Sequence, residues 1–163
     1  SLGNFGNAYN SLGQYQQAID FHQQSLEIFR EIGNRGGEAN SLGNLGNAYQ
    51  SLGQYQQAID FYQQSLDIER EIGDRRGEAN SWYNYGDTLA KLGKKSQAKA
   101  AYVKAQEFFQ AIGHQEYSQI ANKAIEDLSQ PNNPFSIFIK ACLKQISRFL
   151  SWLQHVFYSL FRR

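Results

Sequence analysis

The chain has 163 residues, 41% hydrophobic and 19% charged, with a net charge of +1. That length suffices for one domain of about six or seven helices, and a single Cys excludes an internal disulfide framework and suits a reducing, cytoplasmic setting. The charge is graded: residues 1–80 carry ten acids and five bases, 81–134 five acids and six bases, and 135–163 five bases and no acid. An acidic front argues against a nucleic-acid partner.

Taken in chain order, residues 1–40 and 41–80 are two copies of one unit, identical at 33 of 40 positions. A weaker third copy, 81–120, keeps Gly86, Leu92, Gly93, Ala98, Tyr102, Ala105, Ile112 and Gly113 in register. Such a step predicts a solenoid of units each too small to bury its own apolar face. In the second copy Tyr55, Ala58, Ile59, Tyr62, Leu66 and Ile72 recur at helical intervals, with Glu69 the exception. The pattern predicts one helix from about 36 to 52 and another from about 54 to 72, stopped at Gly53 and Gly73, with Asp74-Arg75 turning into the next unit. The absence of Met and a start at Ser1 inside a helical pattern lead us to expect a piece of a longer array.

Leu42, Leu45, Gly46, Tyr49, Leu52, Gly53, Tyr55, Ala58, Tyr62, Ser65 and Leu66, with Trp82 in the third copy, resemble the tetratricopeptide repeat. The family's common period is about 34. The forty-residue step with a longer second helix is similar to kinesin light chains and Pins-type polarity adaptors, and Arg70 stands near the place of the usual closing Pro. The resemblance implies an all-α, right-handed α-solenoid of antiparallel helix pairs over 1–130, closed by a capping helix at about 114–129. In that fold Gly46 and Ala58 are small where paired helices cross, and Tyr49, Tyr55 and Tyr62 fill the space between successive pairs.

The resemblance also implies that the first helix of each pair lines a concave groove. Its groove-facing positions are Asn4, Asn7 and Asn10, then Asn40, Asn44, Asn47 and Gln50, and in the third copy Asn80, Tyr83, Asn84, Asp87 and Lys91. Steps of three and four put these side chains on one helical face. An Asn amide offers the donor and acceptor set of a peptide bond, so a row of them suits an extended peptide backbone. Where one subclass of the family clamps a terminal carboxylate with Lys or Arg, this chain has Gly3, Gly43 and Tyr83. That clamp is missing.

No catalytic constellation is visible. His22, His114, His155 and Cys142 share no metal-ligand spacing, and GNLGNAY lies within a helical pattern without a preceding strand. Glu38 and Glu78 recur with the period and fit helix N-termini. We therefore expect neither enzyme nor cofactor nor metal.

PNNP at 131–134 reads as a linker, since Pro disfavours helix at and before itself. In 135–163 a narrow polar stripe that includes Lys140, Lys144, Arg148 and Arg162 runs along an apolar surface with Phe149, Trp152, Phe157 and Phe161. This predicts a separate basic amphipathic C-terminal helix of about 40 Å. A bilayer span needs about 20 apolar residues, whereas the longest uncharged run, 149–161, has thirteen. Burying Lys140, Lys144 and Arg148 at about 2.5–3.5 kcal/mol each outweighs a dozen apolar residues at about −0.3 to −0.6. A helix lying on an anionic membrane surface fits better, with packing on the array, in a homodimer or on another partner as the other readings. The functional expectation is a non-catalytic scaffold or adaptor that binds an extended peptide of a protein partner. The alternative is a structural spacer or self-associating repeat without a groove ligand.

Overall fold

The computed structural model describes residues 1–129. They form seven α-helices and no strand: α1 (Leu2–Ser11), α2 (Tyr15–Glu31), α3 (Arg35–Ser51), α4 (Tyr55–Ile72), α5 (Arg75–Lys91), α6 (Lys95–Ala111) and α7 (Gln115–Ser129). From α1 to α6 each helix packs on the next, and the first helices of successive pairs also touch, α1 on α3 and α3 on α5. This is the stacked-pair solenoid that the forty-residue step predicts. None of the described helices is long and apolar enough to cross a membrane. The linker at 131–134 and the amphipathic segment 135–163 lie outside the described residues.

The helix ends follow from local chemistry. Gly53 takes φ +77°, which a residue without Cβ reaches at little cost. Its N–H then reaches Gln50 O at 2.9 Å and the Gln54 N–H reaches Tyr49 O at 2.9 Å, so two otherwise orphaned carbonyls of α3 are satisfied. The same closure repeats every twenty residues from Gly13 to Gly113. At the other end, Asn34 Oδ1 accepts from the Gly37 N–H and Asp74 Oδ1 from the Gly77 N–H, each at 2.9 Å. Asp74 is therefore the N-cap of α5 and Arg75 its first helical residue, where the sequence suggested a longer turn.

The core lies in the seams. Leu42, Leu45 and Ala48 of α3 are buried with Ala18, Ile19 and Leu26 of α2 and Ile68 of α4. Tyr62, fully buried, lies on Gly46, where a Cβ would stand 2.6 Å from the ring. Tyr49 stacks on Phe61 of its own pair at 5.1 Å between centroids, and both rings pack against the buried cluster that α2 shares with α3. Ala121 of α7 joins Ala79, Ala105 and Phe109 in a buried cluster.

Ion pairs repeat with the period. Arg30 Nε meets Glu38 Oε1 at 2.9 Å, and Arg70 Nε meets Glu78 Oε1 at 3.1 Å. Arg35 adds contacts to Glu38 and Glu71. Burial pushes the Glu38 carboxyl up, but the Arg30 and Arg35 guanidiniums outweigh it and hold the group below its ordinary value.

Candidate functional site

Because α3 and α5 lie side by side, residues at one register of the two helices face a common space. From α3 come Ala39, Asn40, Gly43, Asn44 and Asn47, and from α5 Gly77, Asn80, Ser81, Tyr83 and Asn84. Together with Glu69 of α4, Phe109 of α6, and Tyr117 and Ile120 of α7, they line a recess of about 440 Å³.

The amides in this recess differ in what they have left to offer. Asn40, Asn44 and Asn80 make no side-chain hydrogen bond among the described residues. Asn47 Oδ1 accepts from the Tyr62 hydroxyl at 2.7 Å and from Asn84 Nδ2 at 3.3 Å, which fixes both amides in the seam between the second and third copies. Burial pushes the Tyr62 phenol up, reinforced by the Asp87 charge, so the hydroxyl stays a donor.

Six of the sequence-predicted groove residues thus converge: Asn40, Asn44, Asn47, Asn80, Tyr83 and Asn84. Gln50, Asp87 and Lys91 do not line this recess. Gln50 Nε2 donates to Asp87 Oδ2 at 3.0 Å and to Thr88 Oγ1 at 2.7 Å, and Lys91 Nζ pairs with Asp87 Oδ2 at 2.9 Å. The Gln50 bonds tie the second copy to the third, and the Lys91 pair lies within α5. Asn4 and Asn7 are exposed on α1, away from the recess. The predicted C-terminal residues Lys140, Lys144, Arg148, Phe149, Trp152, Phe157, Phe161 and Arg162 lie outside the described residues. Among the described residues no three metal-ligating side chains gather.

Sequence reasoning missed one functional candidate, Glu69. Its side chain is 5% exposed overall, yet it contributes to the lining of the recess. Oε1 accepts from Ser81 Oγ at 2.9 Å and contacts Ser65 Oγ at 3.0 Å, while Oε2, also buried, has no partner. Burial pushes the carboxyl up to about 7, only partly opposed by the two serine hydroxyls, and the nearby Asp74 and Glu78 charges act in the same direction as burial. The available signal was the comparison between copies, since the equivalent positions are Phe29 and Phe109.

Residues 1–71 and residues 79–111 each match a tetratricopeptide repeat family, together more than half of the chain. The chain is a tetratricopeptide repeat protein. No curated protein matches it in sequence. Among solved structures, the apo form of RapI superposes with a TM-score of 0.73 at 18% identity, covering 78% of this chain and 46% of RapI. This repeat chain therefore spans just under half the length of that neighbour. The tetratricopeptide domain of Arabidopsis FLU superposes with a TM-score of 0.65 at 18% identity over 68% of this chain and 92% of the domain. A Rap protein solved with competence and sporulation factor gives 0.73 at 16% identity, over 99% of this chain and 45% of the Rap chain. At these identities the likeness is one of fold.

Proposed function

We propose that this tetratricopeptide array is a non-catalytic protein-interaction adaptor whose recess between α3 and α5 holds an extended segment of a protein partner. The observation that carries the reading is the set of unbonded Asn40, Asn44 and Asn80 amides on two adjacent helices, converging on one recess floored by Gly43. An amide supplies both a donor and an acceptor, which is what an extended backbone requires at each peptide group. A solved Rap protein of this fold with competence and sporulation factor bound supports a binding role. To test this, the full chain is panned against a randomised peptide library and the selected peptides are titrated calorimetrically. Each amide bond contributes about 0.5–1.5 kcal/mol net, so Asn44→Ala with Asn80→Ala should weaken binding by roughly 5-fold to 150-fold. Unchanged affinity would leave the amides as surface decoration and refute the proposal. Asn47 is unsuited to this test, because its loss strands the Tyr62 hydroxyl.

From the sequence of 135–163 we propose in addition a peripheral attachment to anionic membrane, facing the cytoplasm. Its support is the five bases without an acid among Phe, Trp, Ile and Leu, each base contributing about 1 kcal/mol near such a surface. Flotation with phosphatidylserine vesicles compares the full chain with residues 1–130. Equal flotation would remove the membrane reading in favour of packing on the array or on a second copy.

A further inference from the structure

We propose that the recess selects a lysine or arginine side chain of the bound segment, its cationic head against Glu69 Oε2 and its aliphatic stem along Phe109, Tyr117 and Ile120. This rests on reading the recess as a peptide site. At the equivalent position the first and third copies have an aromatic ring, Phe29 and Phe109, and only the second has an acid.

The hydrogen bonds around Glu69 define its protonation. Ser65 has one hydroxyl proton but two acceptors within reach, Ala39 O at 2.8 Å and Glu69 Oε1 at 3.0 Å. With the carboxylate ionised, one of those contacts lacks a hydrogen. With a proton on Oε1 all are satisfied: Glu69 donates to Ser65, Ser65 to Ala39 O, and Ser81 to Oε1. Oε2 is then the carbonyl oxygen, buried and without a partner. A buried acceptor left unbonded is destabilising, so a donor brought by a guest gains more there than at an exposed oxygen.

The surrounding charges decide which donor is favoured. From α5 and its cap, Glu78 and Asp74 add negative charge at Glu69. Arg70 is paired with Glu78 and Asp67, and Arg35 with Glu38 and Glu71. The α3 residues of the lining carry no ionisable side chain, and besides Glu69 the lining holds only the phenols of Tyr83 and Tyr117. No cation among the described residues bonds Glu69 itself, and Asp74 and Glu78 act on it as negative charges. Tyr117 and Ile120 are 45% and 43% exposed, leaving apolar surface for a long side-chain stem, and aromatic faces also attract ammonium and guanidinium groups. When a cation docks, Glu69 ionises and its proton passes to solvent.

The test uses the full chain with ¹³C-labelled glutamate and three probes: the N-acetyl methylamides of lysine, arginine and norleucine. The lysine and arginine probes should lower the Glu69 titration midpoint by about one pH unit or more, and norleucine should leave it in place. Glu69→Gln, whose carbonyl still accepts from Ser81, should weaken the two cationic probes about tenfold and leave norleucine unaffected. An identical midpoint with all three probes, or undiminished binding by the variant, would overturn the proposal. Library peptides that depend on Asn44 and Asn80 but carry no preferred basic residue would sink the cation pocket alone. A Glu69 response to the cationic probes without any Asn-dependent peptide would support the pocket and sink the peptide reading.

Discussion

Glu69→Gln should abolish a pH dependence of stability that the native chain carries. The Glu69 carboxyl moves from 4.5 in an unstructured chain to about 7 in the fold. At 1.36 kcal/mol per unit, keeping it ionised in the folded state costs about 3 kcal/mol. Between those two values the folded chain binds more protons at this group than the unfolded chain, so its stability falls as pH rises. The penalty is absent below the unfolded value and complete above the folded one. His22 acts in the opposite sense: burial lowers its pKa, so its contribution is lost as pH falls. Glu38, held below its ordinary value, loses its contribution in acid as well. Urea unfolding of native and variant chains, in steps from about pH 5 to about pH 8, cancels those shared terms by difference. Near pH 5 the two chains should be similar, and near pH 8 the variant should be more stable by about 3 kcal/mol. Parallel stability curves across that range would show that Glu69 is ionised and well solvated in the fold, and the reasoning would fail.

Glu69→Phe restores the residue of the other two copies opposite Gly77, which has no Cβ to obstruct the ring; it should raise stability near neutral pH by about 1–4 kcal/mol and eliminate binding of a cationic probe, read by calorimetry. Gly46→Ala sets a Cβ 2.6 Å from the buried Tyr62 ring, which its bond to Asn47 holds in place; a loss of about 1–3 kcal/mol in urea unfolding is expected. Gly43→Ala meets only Ser65 Oγ at 3.6 Å, so it should stabilise α3 by up to about 1 kcal/mol while weakening any peptide that lies on that floor. Gln50→Ala removes two bonds from α3 to α5 and should cost about 1–3 kcal/mol, visible as a lower unfolding midpoint.

The helices were legible because their determinants are local. Gly53 and Gly73 mark ends through their own backbone freedom, and the apolar spacing of the second copy marks the buried stripe. The start of α5 was misjudged by a residue or two, since Asp74 caps through its side chain and lets Arg75 enter the first turn. The asparagine face was legible from its spacing of three and four, but which amides stay unbonded was not. Asn47 and Gln50 find their partners 37 or 38 residues further on, in Asn84, Asp87 and Thr88, and no periodicity reveals a bond between unlike residues of neighbouring copies. Glu69 stood out only as an interruption of the apolar pattern. Its meaning depends on Ser65 and Ser81 meeting beneath it, a tertiary fact.

Those serines have a history within the array itself. In the preceding seam Ser25 and Ser41 hold the same stations and bond to each other at 3.2 Å, with Phe29 where the acid would be; in the following seam Ala105 and Ala121 replace both, again under a ring at Phe109. Three joints built on one template therefore carry three different fillings: hydroxyls under a ring, hydroxyls under an acid, and methyls under a ring. Near-duplicate segments run the risk of docking out of order while the chain condenses. Docking α4 on α7 in place of α5 would set Glu69 against Ala121 instead of Ser81 and lose that hydrogen bond, so the variation at this joint disfavours that misordering.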